Sequence, residues 1–498
     1  MIKKITVNNY RILRSVAFCP NPRMNIVVGD NESGKSTLFE AMILALTGRI
    51  NGRSAHEELN PFWFNQDAVE EYLEKRRANE PAAFPEINIE IFFEDRDELA
   101  RLSGRNNSET VLAPGLTMRV VPDPDYREVL DEYFGEQDAQ LVPVEYYRIE
   151  WVPFSDENPL FSKPKEVSVA VIDSRTIRST SGVDYQMREI LKNYLEKDDQ
   201  IAISLAFRDL KTKMTNERLS SLNEKLAELD GVIQKENVTL EMDQGSQGAW
   251  DLSAIPHVAS VPFSMSGLGQ QVSIKTELAL ARSAAISTQI IIIEEPENHL
   301  SHTKLNKLLE SIASATAENE QQVFVSTHSS YVMNRLGLES IVLAYEGSIS
   351  EILTLPPETV SYFRKLSGYD TLRMVLAEKT VLVEGPSDEI LFERFYKDKY
   401  NRRPIEDGVD VISMGGLSRK NCLTLAAKVE KKCALLTDND GNSYGDIMAP
   451  LEDLLETNIR GLFVGEPDGG ATLELQIIHS NGENVLREIF GVDRKSVV

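Results

Sequence analysis

Only three cysteines occur in 498 residues, Cys19, Cys422 and Cys433, and their separations match no metal-binding spacing. This scarcity argues against a disulfide framework and fits a reduced compartment, with small buried hydrophobes as the plain role for all three. No apolar stretch approaches the roughly 20 residues that a bilayer span needs. The opening Met1-Ile2-Lys3-Lys4-Ile5 also lacks a signal-peptide apolar region. Internal repeats and low-complexity tracts are missing. Basic residues are in deficit: 53 Lys and Arg stand against 78 Asp and Glu, a net charge of −25. That balance excludes broad, nonspecific coating of nucleic acid, which requires a basic surface. It leaves open a local basic groove, or cations bound among the acids. The rest, 42% apolar and 26% charged, is ordinary for a globular chain long enough for two or three cores.

What is present begins with Gly-Asp-Asn-Glu-Ser-Gly-Lys-Ser-Thr at residues 29–37. It follows the apolar run Met24-Asn25-Ile26-Val27-Val28 and precedes the helical pattern Leu38–Leu46. A strand that stops at a glycine and restarts as a helix leaves backbone N–H groups pointing at one spot, which the helix dipole makes attractive to anions. Gly29 and Gly34 let the chain wrap phosphate; Asn31 and Thr37 belong to the same loop. Lys35 reaches the β- and γ-phosphates, and the Ser36 hydroxyl ligates Mg²⁺. The expected ligand is a nucleoside triphosphate.

The opening segment Ile2–Val7 alternates as a strand, and Asn8-Asn9-Tyr10-Arg11 reads as a polar turn. From about Pro85 to Asp173 the chain is strand-rich, with candidates at Ile87–Phe93, Leu116–Val121, Tyr146–Val152 and Val167–Ile172. Residues 179–234 then read as long amphipathic helices. Leu219, Leu222, Leu226 and Leu229 recur at spacings of three and four. Two roles are open for this insertion: packing on its own domain, or carrying a dimer interface. A second strand–helix series follows: strand Gln289–Glu295, helix His302–Thr316, strands Gln322–Ser326 and Ile341–Tyr345. A helix over Ser361–Leu376 leads into a fresh βαβ pattern from about Glu378.

Ile290-Ile291-Ile292-Ile293 runs into Glu294-Glu295-Pro296-Glu297. A fully apolar strand ending in paired acids suits a buried parallel strand that presents carboxylates at its C-terminal end. Glu294 takes the metal-side role, holding Mg²⁺ through water, and Glu295 the catalytic role of orienting or deprotonating the attacking water. His328, after Val323-Phe324-Val325-Ser326-Thr327, stands where a γ-phosphate sensor belongs. Ser266 and Gly267 precede a helix over Val272–Ala285 and form a second anion-binding turn. That turn makes sense if it reaches across a dimer to the partner's nucleotide. In this order, phosphate loop, Ser-Gly signature, Glu-Glu-Pro-Glu-Asn-His-Leu and Ser-Thr-His-Ser resemble an ABC-type ATPase of the RecF/SMC/OLD group. Val7-Asn8-Asn9-Tyr10-Arg11 is similar to the start of those proteins. The resemblance implies ATP as ligand and head-to-tail ATPase heads, with Ser266 and Gly267 contacting the neighbour's γ-phosphate. Glu294-Glu295 replaces the usual Asp-Glu, and Gln66 is the candidate for the glutamine loop.

A second acidic constellation lies downstream. Strand Val381–Val383 delivers Glu384; Gly385 turns the chain and Asp388 opens a helix. Ala434-Leu435-Leu436 ends in Thr437-Asp438-Asn439-Asp440-Gly441. The spacing places Asp438 and Asp440 on the same side of an extended end, beside Glu384 if the strands are parallel neighbours. Carboxylates gathered this way repel unless cations sit between them, and hard oxygen ligands suit Mg²⁺ or Mn²⁺. Such a site can activate a nucleophile and stabilise the leaving oxygen in phosphodiester cleavage. Val-Glu-Gly-x-x-Asp coupled to Asp-Asn-Asp-Gly, with Val411–Gly416 between them, resembles a Toprim domain. Glu474 matches a later family position where another acid approaches the metal.

An ABC-type ATPase fused upstream of a Toprim domain looks like the OLD family of nucleases. The resemblance implies an α/β chain: an ABC-type P-loop ATPase head with a helical insertion, followed by a Rossmann-like Toprim domain. The expected boundaries are 1–178 and 241–377 for the two ATPase lobes, 179–240 for a dimerising insertion, and 378–498 for the Toprim domain. It further implies ATP-coupled, metal-dependent cutting or nicking of DNA by a homodimer or higher oligomer. A place in bacterial or phage-encoded defence, with a partner gene, is implied too; the expected location is the cytoplasm, without a membrane. The alternative is a RecF/SMC-like repair clamp whose C-terminal domain binds DNA without cutting it. A long coiled coil is missing, as is any topoisomerase-type tyrosine context. OLD-type Toprim domains usually continue past the acidic cluster to a further basic residue, whereas this sequence stops at Val498. Its closing Asp493-Arg494-Lys495-Ser496-Val497-Val498 equals the translation of a common sequencing-adapter start, so the native chain is expected to run on.

Overall fold

The computed structural model describes all residues except 30, 136–139, 157, 161–166, 168, 174–196, 228–238, 244–255, 281–289, 319–320, 338–339, 352–355, 357, 360–368, 415–417, 429–430 and 491–498. Of the helix expected over Ser361–Leu376, residues 361–368 lie outside the described residues and Tyr369–Leu376 is helical; Gly415, Gly416, Leu229 and the closing hexapeptide also lie outside the described residues. The chain divides into two compact units. One comprises Met1–Asn25, Gly34–Ser326 and Glu346–Ser348; the other comprises Ile26–Ser33, Thr327–Tyr345 and Ile349–Val498.

Strands β1 (Ile2–Tyr10) and β2 (Leu13–Phe18) form an antiparallel hairpin that closes at Tyr10↔Leu13. The polar turn expected at Asn8–Arg11 is therefore displaced. β1 runs on through Asn8 and Asn9, paired to Ser15 and Asn88 by way of Asn8, and the reversal falls at Arg11-Ile12. Asn9 and Arg11 absorb the bend with φ of 59° and 49°. After β3 (Met24–Val28) and α1 (Lys35–Thr47), the strands β4 (Ile87–Phe93), β5 (Ala113–Pro122) and β6 (Tyr147–Pro153) extend the sheet in the order β2-β1-β4-β5, with β6 and the short Ser103–Gly104 also paired to β5. Trp151 of β6 donates its indole N–H to Ala45 O at 2.9 Å, tying this sheet to α1.

The fourth candidate of that strand-rich stretch goes elsewhere. β7 (Val169–Asp173) pairs in parallel with β8 (Ile290–Glu294), which pairs in parallel with β9 (Gln322–Thr327). With β10 (Ile341–Tyr345) and β11 (Ser348–Glu351), the sheet order is β7-β8-β9-β3-β10-β11. Every residue of β3, β8 and β9 is buried, and β8 is apolar from Ile290 to Ile293, as a parallel strand covered on both faces requires. Gln322 accepts from Ile2 N at 2.7 Å and donates to Ile2 O at 2.9 Å, so the start of β9 holds the start of β1.

Within the insertion, α2 (Lys197–Lys213) continues through a π-turn at Met214–Leu219 into α3 (Ser220–Ala227). Ile201, Leu205, Leu210 and Leu222 are exposed along it. Further on come α4 (Leu268–Leu280), α5 (His302–Glu318) and α6 (Ser330–Leu336).

The other unit holds a four-stranded parallel sheet. β12 (Lys379–Val383), β13 (Val409–Ser413), β14 (Lys432–Thr437) and β15 (Arg460–Val464) run in the order β13-β12-β14-β15. Helix α7 (Pro386–Tyr400) follows β12, α8 (Arg419–Lys428) follows β13, and α9 (Leu473–Asn481) comes after β15. Val381, Val383 and Val411 form its core with Phe392 and Leu436. No helix among the described residues is long and apolar enough to cross a membrane.

Candidate functional site

The phosphate loop leaves β3 at Gly29. A Cβ there would lie 2.4 Å from both Ala344 O and Ser33 Oγ, so the neighbouring strand's backbone, as much as any phosphate, demands glycine. Gly34 caps α1 with φ of 106°, a backbone that favours glycine. Lys35 is buried at the helix start, Ser36 and Thr37 are half-buried, and Asn31 is exposed. Gly34 also borders Leu13, Ile12 and Gly347. Beside them a cavity of about 520 Å³ is lined by Arg11, Arg14, Asn65, Gln66 and Gly347, among others. Gln66 Nε2 donates to Phe64 O at 2.8 Å, and the Asn65 side chain caps the helix that Gln66 begins. Arg14 escaped the sequence reading because a single arginine in a hairpin carries no periodic signal.

Glu294 closes β8 and is buried, opposite Ser326 in the ladder. Glu295 leaves the strand with φ of 45°; its N–H donates to Ser326 O at 3.0 Å, and its Oε2 accepts from Asn298 Nδ2 at 2.7 Å. The second acid is thus turned and clamped by Asn298 of the same Glu-Asn-His segment. His328 is exposed just past β9, where Ser329 N donates to Thr327 Oγ1 at 2.9 Å. Ser266 and exposed Gly267 stand ahead of α4. Ser266 Oγ donates to Phe263 O at 2.7 Å, and Gln271 Nε2 returns from the helix to Ser266 O at 2.8 Å. A Cβ at Gly267 would meet nothing within 4 Å, so this turn is open to an incoming group.

The second constellation forms at the C-terminal ends of β12 and β14, which are adjacent. Glu384 Oε1 accepts from Asp438 N at 3.2 Å, from Arg419 Nη2 at 2.6 Å and from the Thr437 hydroxyl. Arg419 Nη2 also donates to Asp440 Oδ2 at 3.1 Å. Asp438 Oδ2 accepts from Leu473 N at 3.1 Å, at the start of α9. Glu384, Asp438 and Asp440 each engage one carboxylate oxygen; among the described residues the other takes no protein donor. The segment at the end of β14 is not extended as expected. Asp440 has φ of 48° and Gly441 of 79°, so a turn presents the acids. Buried Asn439 anchors it, its Nδ2 within 2.9–3.2 Å of Gly465, Glu466 and Gly470 oxygens while its Oδ1 accepts from Gly441 N at 2.8 Å.

Burial pushes the Asp438 carboxyl above the ordinary aspartate range. The charges of Glu384, Asp388 and Asp440 add to this, and the Leu473 N–H opposes it. Asp388 commits Oδ2 to Gly385 N at 3.0 Å, capping α7. Glu474 is exposed and bonded to Thr472 Oγ1 at 2.9 Å; Leu473, its neighbour, supplies the contact to Asp438. No three His, Cys, Asp or Glu side chains among the described residues form a ready-made metal cage. The donors nonetheless fit a hard divalent cation: all are oxygen, and their repulsion is already partly neutralised by the Arg419 cation. Arg419 and Thr437 were not anticipated. Arg419 sits in a polar Leu-Ser-Arg-Lys stretch with no marker of its partners. A cavity of about 590 Å³ opens beside Glu384, Ser418, Arg419, Lys420 and Asn442.

Family models match three stretches of the chain: an AAA domain over residues 4–244, an AAA ATPase domain over 162–333, and an Overcoming lysogenization defect protein-like TOPRIM domain over 375–440. A DNA replication and repair protein RecF from Idiomarina loihiensis is 42% identical over 48 residues, 10% of this chain and 14% of that protein. Another RecF, from Desulforamulus reducens, is 38% identical over 47 residues, 9% of this chain and 13% of that protein. The matched stretch thus spans about one seventh of these relatives. Among solved structures, an SmcHead bound to the C-winged helix domain of ScpA is 14% identical, with 72% of this chain and 98% of that one covered at a TM-score of 0.37. An SMC head domain from Thermotoga maritima is 12% identical, with 71% and 99% covered at 0.32. Both likenesses are distant. The chain thus matches AAA-type ATPase models over residues 4–333 and, downstream of them, an OLD-like TOPRIM model over residues 375–440.

Proposed function

We propose that this protein couples ATP hydrolysis to divalent-metal-dependent cleavage or nicking of DNA. The supporting observation is the convergence of Glu384, Asp438 and Asp440, from two adjacent strand ends, each with one carboxylate oxygen that takes no protein donor among the described residues. Glu384 and Asp438 would hold Mg²⁺ or Mn²⁺, with Asp440 completing the set; Asp388 follows Glu384 at the start of α7, and Glu474 adjoins Leu473, whose N–H bonds Asp438. Such a cation supplies Lewis acidity for the phosphodiester and a lowered pKa for its bound water. The chain's own contribution is placement. The Asn439 anchor fixes the turn, and Leu473 N–H orients Asp438.

For the nucleotide, Gly29, Asn31, Gly34, Lys35, Ser36 and Thr37 would cradle ATP, and Ser36 and Glu294 are the groups that would hold Mg²⁺, which would supply charge neutralisation at the phosphates. Glu295, held by Asn298, positions the attacking water, and His328 senses the γ-phosphate. Ser266 and Gly267 reach a second protomer's nucleotide. The apolar side chains exposed on α2 and α3 support a homodimer contact through the insertion. The name of the RecF relatives supports DNA as substrate. We place the enzyme in the cytoplasm, in anti-phage defence with an operon partner.

Supercoiled plasmid incubated with ATP and Mg²⁺ or Mn²⁺ tests this reading. Wild type should nick it, and Asp438→Ala should lose more than about 100-fold of that activity while retaining ATP turnover. Plasmid that stays supercoiled with wild type, yet is bound, favours the repair-clamp reading instead.

A further inference from the structure

Arg419 belongs to neither acidic motif, yet it contacts both. Its Nη2 lies 2.6 Å from Glu384 Oε1 and 3.1 Å from Asp440 Oδ2, linking the ends of β12 and β14. One guanidinium nitrogen serves both acids; Nε and Nη1 make no protein hydrogen bond among the described residues. The side chain is 28% exposed and forms part of the wall of the 590 Å³ cavity, next to Ser418, exposed Lys420 and Asn442. That wall is rich in donors, unlike the acids it adjoins. Of the two carboxylates that line the cavity, Glu384 is bridged by Arg419 and Asp446 accepts from Ser443 Oγ at 2.6 Å.

Two consequences follow from charge and geometry. A divalent cation that draws on both Glu384 and Asp440 competes with the guanidinium for the same carboxylates, since two cations in one cleft repel. A displaced guanidinium cannot stay desolvated without an anion, and its planar fork matches a phosphate. We propose that Arg419 is a charge-exchanging phosphate ligand: it bridges Glu384 and Asp440 until a divalent cation takes those carboxylates, then swings into the adjacent cavity to hold a backbone phosphate of the nucleic-acid strand. Arrival of the cation and gripping of the strand are thereby one event. This rests on the cleavage reading above and assigns that site a residue outside its acidic motifs.

The test uses the full chain and two readouts that need no turnover. Mn²⁺ affinity is followed through the free-ion electron paramagnetic resonance signal. Binding of a fluorescein-labelled duplex is followed by anisotropy in Ca²⁺ across a salt series. Arg419→Gln should bind Mn²⁺ about tenfold more tightly, because the competitor is gone. The same variant should bind the duplex more weakly, with a salt slope smaller by about one. Arg419→Lys, which keeps the charge but not the fork, should fall between, and it carries the test alone if the glutamine variant does not fold. Mn²⁺ affinity that ignores Arg419 while depending on Asp438, or an unchanged salt slope, overturns the exchange and leaves the cleavage reading standing. Mn²⁺ binding no tighter in wild type than in Asp438→Asn overturns both.

Discussion

The two acidic centres of this chain are built on opposite principles. At the end of β8, Glu294 is buried in a sheet whose central strands are wholly covered, and Glu295 is turned and clamped within three residues of itself. At the ends of β12 and β14, Asp440 is about half exposed, and a side chain from a third element holds the acids together. The first arrangement is set by strand burial, so its geometry is fixed when the sheet folds. In the second, Asn439 and Leu473 hold the aspartate turn, while the link between Glu384 and Asp440 is a single partly exposed arginine side chain. A rigid centre suits a reaction repeated on one small ligand; a centre held by exchangeable charge suits a large substrate that must be let in.

If that contrast is right, the first centre should respond to substitution by losing chemistry, not shape. Glu295→Gln keeps the Asn298 hydrogen bond but removes the charge. ATP turnover measured by phosphate release should fall by roughly 10²–10⁴-fold, with the melting temperature unchanged. Lys35→Ala should weaken nucleotide affinity by about 100-fold in calorimetry, and it should leave Mn²⁺ binding at the second centre unaltered. A loss of Mn²⁺ binding in that variant would break the separation of the two centres.

Shape itself can be probed at Gly29. An added methyl there meets a strand carbonyl and the Ser33 hydroxyl at 2.4 Å, so Gly29→Ala should cost about 1–3 kcal/mol, read as a lowered unfolding midpoint. The smallest effect belongs to the open centre. The Asp438 carboxyl is raised in the folded state, so a cost in stability sets in as the pH passes the ordinary aspartate value and is complete once it exceeds the raised one. Removing the charge should therefore raise the melting temperature of Asp438→Asn slightly near pH 7–8. The gain should vanish below about pH 4, where an ordinary aspartate is itself protonated. A gain that persists at low pH would mean the acids do not repel as described.

Much of this was legible in the chain. A parallel strand buried on both faces is mostly apolar, so an apolar run that ends in carboxylates marks a strand end that presents acids. Ile290–Glu294 and Lys379–Val383 with Glu384 therefore announce themselves. The phosphate loop is similarly self-describing. Partners are a different matter. Val169–Ile172 is a continuous apolar run, and it pairs with a strand more than a hundred residues later, because apolar character encodes burial and not a neighbour. Arg419 was invisible for the same reason: an arginine at a helix start says nothing about which carboxylates its length will reach. The expected straight end at Asp438–Asp440 failed because Asn439 finds better hydrogen bonds by bending the chain than by extending it.

Asn439 has a consequence of its own. Its amide staples the stretch around 465–470 to the tip that bears the two aspartates, while Leu473 reaches Asp438 directly. A tug on either acid is therefore relayed through a few polar links into the helix that begins at Leu473. Whatever settles among the carboxylates will be felt at that helix, which makes the far side of the cleft a natural reporter of occupancy.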